Sequence, residues 1–153
     1  MDSSVFVEVI PDPLQITKYV GLVEDNGSGA IASFMGVTRD NFDGKRVLSL
    51  SYEAYIPMAE KEMQEICRKA HHRWKLKKMA LAHRVGSVGI GEASVIIAVS
   101  SAHRREALEA CHWAIDELKA TVPIWKKELY ENGEVWKENL ESRTMRLQAP
   151  AEM

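Results

Sequence analysis

The hydrophobic period of this chain switches repeatedly between the value of a strand and that of a helix, and this switching restricts its folds severely. Val5–Ile10 alternates apolar and polar residues and reads as a strand. A short helix is expected over 13–25, with Asp12 as its N-cap and Pro13 at its first position. Asn26-Gly27-Ser28-Gly29 interrupts the chain, 30–38 is rich in β-formers, and 39–44 reads as a polar loop before a further strand at 47–55. Pro57 opens a second helix that sets Ala59, Met63, Ile66, Ala70 and Trp74 on one face. His71, His72, Arg73 and Lys75 crowd its end, where cations complement the helix dipole. Strands at 79–85 and 93–99 follow, joined by a turn containing glycines. A third helix is expected over 102–121, burying Leu108, Cys111, Ile115, Leu118 and Val122. Ile124–Tyr130, Asn132-Gly133 and Val135-Trp136 then form a hairpin signal. The order β-α-β-β-α-β-β-α-β-β predicts an α+β fold with a mainly antiparallel sheet. Residues 1–140 are expected as one domain, and 141–153, which lack periodicity, as a tail that is loose or docked on a partner.

The third helix begins against its own electrostatics. Its first turn holds His103, Arg104 and Arg105, although a helix N-terminus is itself positive and favours acids. Cations there suit a bound anion, for which exposed N–H groups already form a site. Lys119 follows near the helix end, and Lys126 and Lys127 stand beyond Pro123. In the following strand Ile124, Lys126, Glu128 and Tyr130 share one face, and Trp125, Lys127 and Leu129 the other. One lysine of the pair must therefore point toward the more covered side. Taken singly, such lysines read as solvated surface; together with His103, Arg104 and Arg39 they suggest an anion cradle.

Other classes of function fit less well. With 20 basic and 22 acidic residues the formal net charge is −2, against the basic excess of a nucleic-acid binder. Gly86-Ser87-Val88-Gly89-Ile90-Gly91 has the wrong glycine spacing for a dinucleotide loop, and a strand is expected after it where that loop needs a helix. His71, His72, His83, His103 and His112 show no metal-ligand spacing. Cys67 and Cys111 fall within expected helices and lack neighbouring basic activators, so neither reads as a nucleophile. No apolar run approaches membrane-spanning length, and the first residues lack the pattern of a signal peptide. The expectation is a cytoplasmic protein without a metal, a cofactor, nucleic acid or a membrane among its partners.

Five motifs carry a resemblance. Phe34-Met35-Gly36-Val37-Thr38-Arg39, Tyr52-Glu53-Ala54-Tyr55 with Met58-Ala59, His83-Arg84-Val85-Gly86, Ser100-Ser101-Ala102-His103-Arg104, and Val122-Pro123-Ile124-Trp125-Lys126-Lys127-Glu128 resemble the large, catalytic subunits of molybdopterin synthases. The resemblance implies an α/β hammerhead fold and a homodimer at the core of a heterotetramer. A small ubiquitin-like sulfur-carrier subunit would bind each end and thread its C-terminal Gly-Gly, carried as a thiocarboxylate, into a pocket. Two sulfurs would be added there to cyclic pyranopterin monophosphate, forming a dithiolene. By motif, the substrate-binding residues would be Val37, Thr38, Arg39, His103, Arg104, Lys119, Lys126, Lys127 and Glu128. Lys119 and Lys126 would be catalytic, and Phe34 and Arg39 would meet the partner's tail. A basic side chain lent across the dimer is implied near Leu140, with Lys137 and Arg143 as substitutes. The alternative is a non-catalytic module that docks a ubiquitin-like tail without chemistry.

Overall fold

The structure, a computed structural model, describes residues 3–133 and 135–139, the last four of these as backbone. The first half of the chain forms β1 (Val5–Ile10), α1 (Ile16–Leu22), β2 (Ala30–Val37), β3 (Asn41–Phe42), β4 (Lys45–Ala54) and α2 (Ile56–Arg73). The second half forms β5 (Leu76–Arg84), β6 (Gly86–Gly89), β7 (Ala93–Ser101), α3 (Arg104–Thr121), β8 (Ile124–Tyr130) and β9 (Val135–Asn139). These elements confirm the α+β class with largely antiparallel sheets, β1 and β5 forming the one parallel pair among the described strands. The expected tail at 141–153 lies outside the described residues, as do Leu140, Arg143 and the Lys137 side chain.

One sheet, ordered β1-β5-β7-β2, is the body of the molecule. Period-two alternation gives it two apolar faces. Met79, Leu81, Val95, Ile97 and Val99 join the core beneath α2 and α3, whereas Ala80, Ala82, Ile96 and Ala98 pack toward α1. Every residue of β7 is buried, as a central strand covered on both sides requires. A second sheet, ordered β3-β4-β8-β9 with β6 also paired to β4, carries the charged segment beyond α3. Its β8 buries Ile124, Lys126, Glu128 and Tyr130 and exposes Trp125, Lys127 and Leu129.

Four local expectations need correction. Helix α1 starts at Ile16 with an extended Gln15 at its N-cap, not at Pro13, and ends at Leu22. Leu14 is drawn into the core under α1, which holds the preceding segment extended. On α3 the buried stripe is Ala107, Ala110, Cys111, Ala114, Ile115 and Leu118, and Leu108 is 58% exposed. Those positions recur at spacings of three and four, as on a core-facing helix, and alanines let it sit close to its neighbours. The glycine-containing turn after β5 includes a short strand, β6, paired with Ser49 to Tyr52 of β4. The polar loop after β2 holds β3, whose hairpin to β4 turns on Asp43 and Gly44, both at positive φ. Asp-Gly between paired residues is a strong two-residue hairpin signal.

Candidate functional site

A cavity of about 520 Å³ opens between the two sheets and the C-terminal half of α3, within the size range of small-molecule sites. Strand β2 and the residues after it supply Phe34 through Arg39. Leu50 and Tyr52 come from β4, His83 from β5, Val95 from β7, Lys119 from α3, and Lys126 and Glu128 from β8. The wall thus joins residues from both halves of the chain that no local signal connects. Between Gly36 and Val37 the pairing of β2 with β7 slips by one residue, leaving Ser94 as an extra residue beside the cavity. Gly36 itself leaves no room for a side chain: an added Cβ would lie 2.7 Å from Val95 Cγ1 and 3.3 Å from the Phe34 ring.

The charges in this wall differ in their access to water. Arg39 and Lys119 are exposed, whereas Lys126 and Glu128 are only 7% and 3% exposed. Lys126 Nζ donates to Glu128 Oε1 at 2.9 Å, and the Tyr130 hydroxyl donates to Glu128 Oε2. The buried ammonium is therefore balanced by a carboxylate that is itself hydrogen-bonded, the arrangement under which an interior ion pair persists. Tyr52 lies directly opposite Lys126 in the β4–β8 register. On its other side the Tyr52 ring meets His83 edge-on, with centroids 5.0 Å apart. His83 Nδ1 is 2.8 Å from the Arg84 carbonyl oxygen, and burial lowers its pKa to about 4. The Thr38 hydroxyl is buried in the same wall with no hydrogen-bond partner among the described residues.

Of the residues singled out by sequence, the cavity brings together Phe34, Val37, Thr38, Arg39, Lys119, Lys126 and Glu128. Lys127 points to the exposed face of β8, outside it. His103 and Arg104 are exposed at the opposite end of α3, about 24 Å from Lys119 by helical rise. His83, Tyr52 and Ser94 were not among the sequence candidates for the site. His83 and Tyr52 lie within motifs, but their convergence depends on pairing between distant strands. The two thiols are buried and unpaired, and burial pushes Cys67 up to about 12 and Cys111 up to about 11. Neither lines the cavity. Among the described residues, no three His, Cys, Asp or Glu side chains gather as a metal site, and no helix is long and apolar enough to cross a membrane.

Residues 9–121 match the family described as MoaE protein. An Arabidopsis thaliana relative named molybdopterin synthase catalytic subunit is 55% identical over 135 residues, covering 88% of this chain and 68% of its own. A Homo sapiens relative of the same name is 53% identical over 130 residues, covering 85% and 69%. The chain thus spans about two thirds of the length of these relatives. Among solved structures, molybdopterin synthase from Staphylococcus aureus matches with a TM-score of 0.82 and 36% identity, over 90% of this chain and 98% of that one.

Proposed function

Because the chain belongs to the MoaE protein family, we propose that it is the catalytic subunit of a molybdopterin synthase, a sulfurtransferase that converts cyclic pyranopterin monophosphate to molybdopterin. The observation that carries this reading is the single cavity uniting Arg39, Lys119 and Lys126 with an apolar wall. Its sulfur arrives as a thiocarboxylate on the C-terminal Gly-Gly of a small ubiquitin-like carrier subunit. Cysteines held as protonated thiols outside the cavity accord with a nucleophile brought in from elsewhere. Two additions place the two dithiolene sulfurs.

The chain's own residues bind, orient and move protons. Arg39, at the mouth with Phe34, suits the anionic end of the incoming tail. Lys126, charge-balanced by Glu128 and shielded from water, stabilises negative charge developing on the acyl oxygens or the pterin. Lys119 is the proton-transfer group beside the carrier's carboxyl terminus. Val37 and Thr38 shape the pterin side of the cavity, and Lys127 acts from the outer face of β8. His103 and Arg104, too far along α3 to reach the cavity of their own chain, serve a second copy in a homodimer at the core of a heterotetramer. Residues 1–140 are the catalytic domain and 141–153 a separate tail. On this reading the enzyme works in the cytoplasm, which its unpaired thiols support.

The test combines the purified chain, a thiocarboxylated carrier and the cyclic pterin, with dithiolene formation as the readout. Lys119→Ala should abolish turnover while leaving carrier binding nearly intact. Normal turnover in that variant would refute its role. Carrier binding with no dithiolene from the unaltered chain would leave a docking module in place of an enzyme.

A further inference from the structure

We infer that His83 contacts the substrate as a neutral hydrogen-bond acceptor and, with Thr38, selects a donor edge of the pterin ring. This rests on reading the cavity as the pterin site and adds a specificity determinant to it. The geometry begins with the Arg84 carbonyl, which can only accept a hydrogen bond. Since His83 Nδ1 stands 2.8 Å from that oxygen, Nδ1 carries the hydrogen. In the neutral ring Nε2 is then left with a bare lone pair. Burial keeps the ring in this neutral form at physiological pH.

The ring is also fixed in position. Tyr52 stands edge-on to it at 5.0 Å and 72°, and β5 is paired on both sides, by β1 and β7. Across Tyr52 lies Lys126, its direct partner in the β4–β8 register, so their Cβ atoms are about 5 Å apart. His83 and Lys126 therefore flank one aromatic ring in the wall of one cavity. Thr38 adds a buried hydroxyl that no described residue satisfies, and such groups are rare unless something completes them. Arg39, Lys119 and Lys126 suit the anionic parts of a substrate. A lone pair would repel those parts and instead selects a neutral N–H or O–H, which the amino group and ring nitrogens of a pterin provide.

Steady-state kinetics with the carrier and the cyclic pterin, varied separately, test this. His83→Leu should raise KM for the pterin about tenfold, the expected loss of one hydrogen bond, with carrier affinity and melting temperature little changed. His83→Gln, which keeps an acceptor oxygen, should recover most of that loss. Thr38→Val, which removes only the hydroxyl, should also raise the pterin KM selectively and tests the pair even if His83→Leu fails to fold. The inference is overturned if His83→Leu or Thr38→Val leaves the pterin KM unchanged. A rise in both KM values with a lower melting temperature and no rescue by Gln would overturn it too, since that is the signature of a packing role. An unaltered chain that forms no dithiolene defeats the parent reading instead.

Discussion

Lys126 and Glu128 form a charge pair that water barely reaches, so removing one partner is not the same as removing both. Glu128→Ala strands an ammonium in the interior and should destabilise the chain by about 3–5 kcal/mol in denaturant titrations. The double variant Lys126→Met with Glu128→Leu removes both charges and should regain most of that stability while remaining inactive. His83 gives a second test through pH. Its folded pKa is about 4, below the 6.5 expected when unfolded. Between those values the unfolded chain binds the extra proton, so stability rises with pH there. The contribution is complete above 6.5 and is lost as pH falls toward 4, on the order of 3 kcal/mol. Thermal unfolding of the native chain should fall more steeply over that interval than that of His83→Gln.

Helix α3 is where side-chain size misleads and register decides. Leu108 falls at an acceptable helical step from Cys111 and Ile115, yet the seam against the sheet runs through the smaller Ala107, Ala110 and Ala114. A leucine attracts attention in a sequence because it gains more from burial, but the fully buried positions of the helix, 107, 110 and 114, are all alanine. Leu108→Ala should therefore change stability by less than about 0.5 kcal/mol. Ala110→Leu should cost about 1–3 kcal/mol or more through overpacking. Urea midpoints of the two variants compare them directly. In strand β8, by contrast, period-two alternation alone separates the two lysines onto opposite faces, and packing decides that the Lys126 face is the buried one.

The separation of about 24 Å between His103 and Lys119 along α3 has a consequence for the assembled protein. If His103 and Arg104 serve the cavity of a second copy, each active site draws on two chains. Lys119→Ala and Arg104→Glu should then each be inactive alone, and their mixture should recover about a quarter of the native rate. That fraction follows from random pairing in a two-fold dimer, where half the dimers are mixed and each keeps one complete site. Dithiolene formation after unfolding and refolding the two together measures it. A mixture as inactive as its parts would place the basic helix start outside the site.

Hydrophobic period and turn chemistry, both local properties, are enough to establish the α+β class, most of the strands, helices α2 and α3, and that Lys126 and Lys127 face opposite ways, while which of them enters the cavity is decided by the tertiary structure. The polar composition of 39–44 reads as a loop, and only the pairing of β3 with β4 shows that Asp43-Gly44 turns a hairpin. The rest needed distant parts of the chain in contact. Leu14 delays α1 because a core exists for it to enter, and β6 is a strand because β4 offers it an edge. The cavity likewise exists only because β2, β4, β5, β8 and α3 meet. Local patterns record what each segment prefers, whereas a site is defined by distances between segments, and those follow from how the packed faces fit.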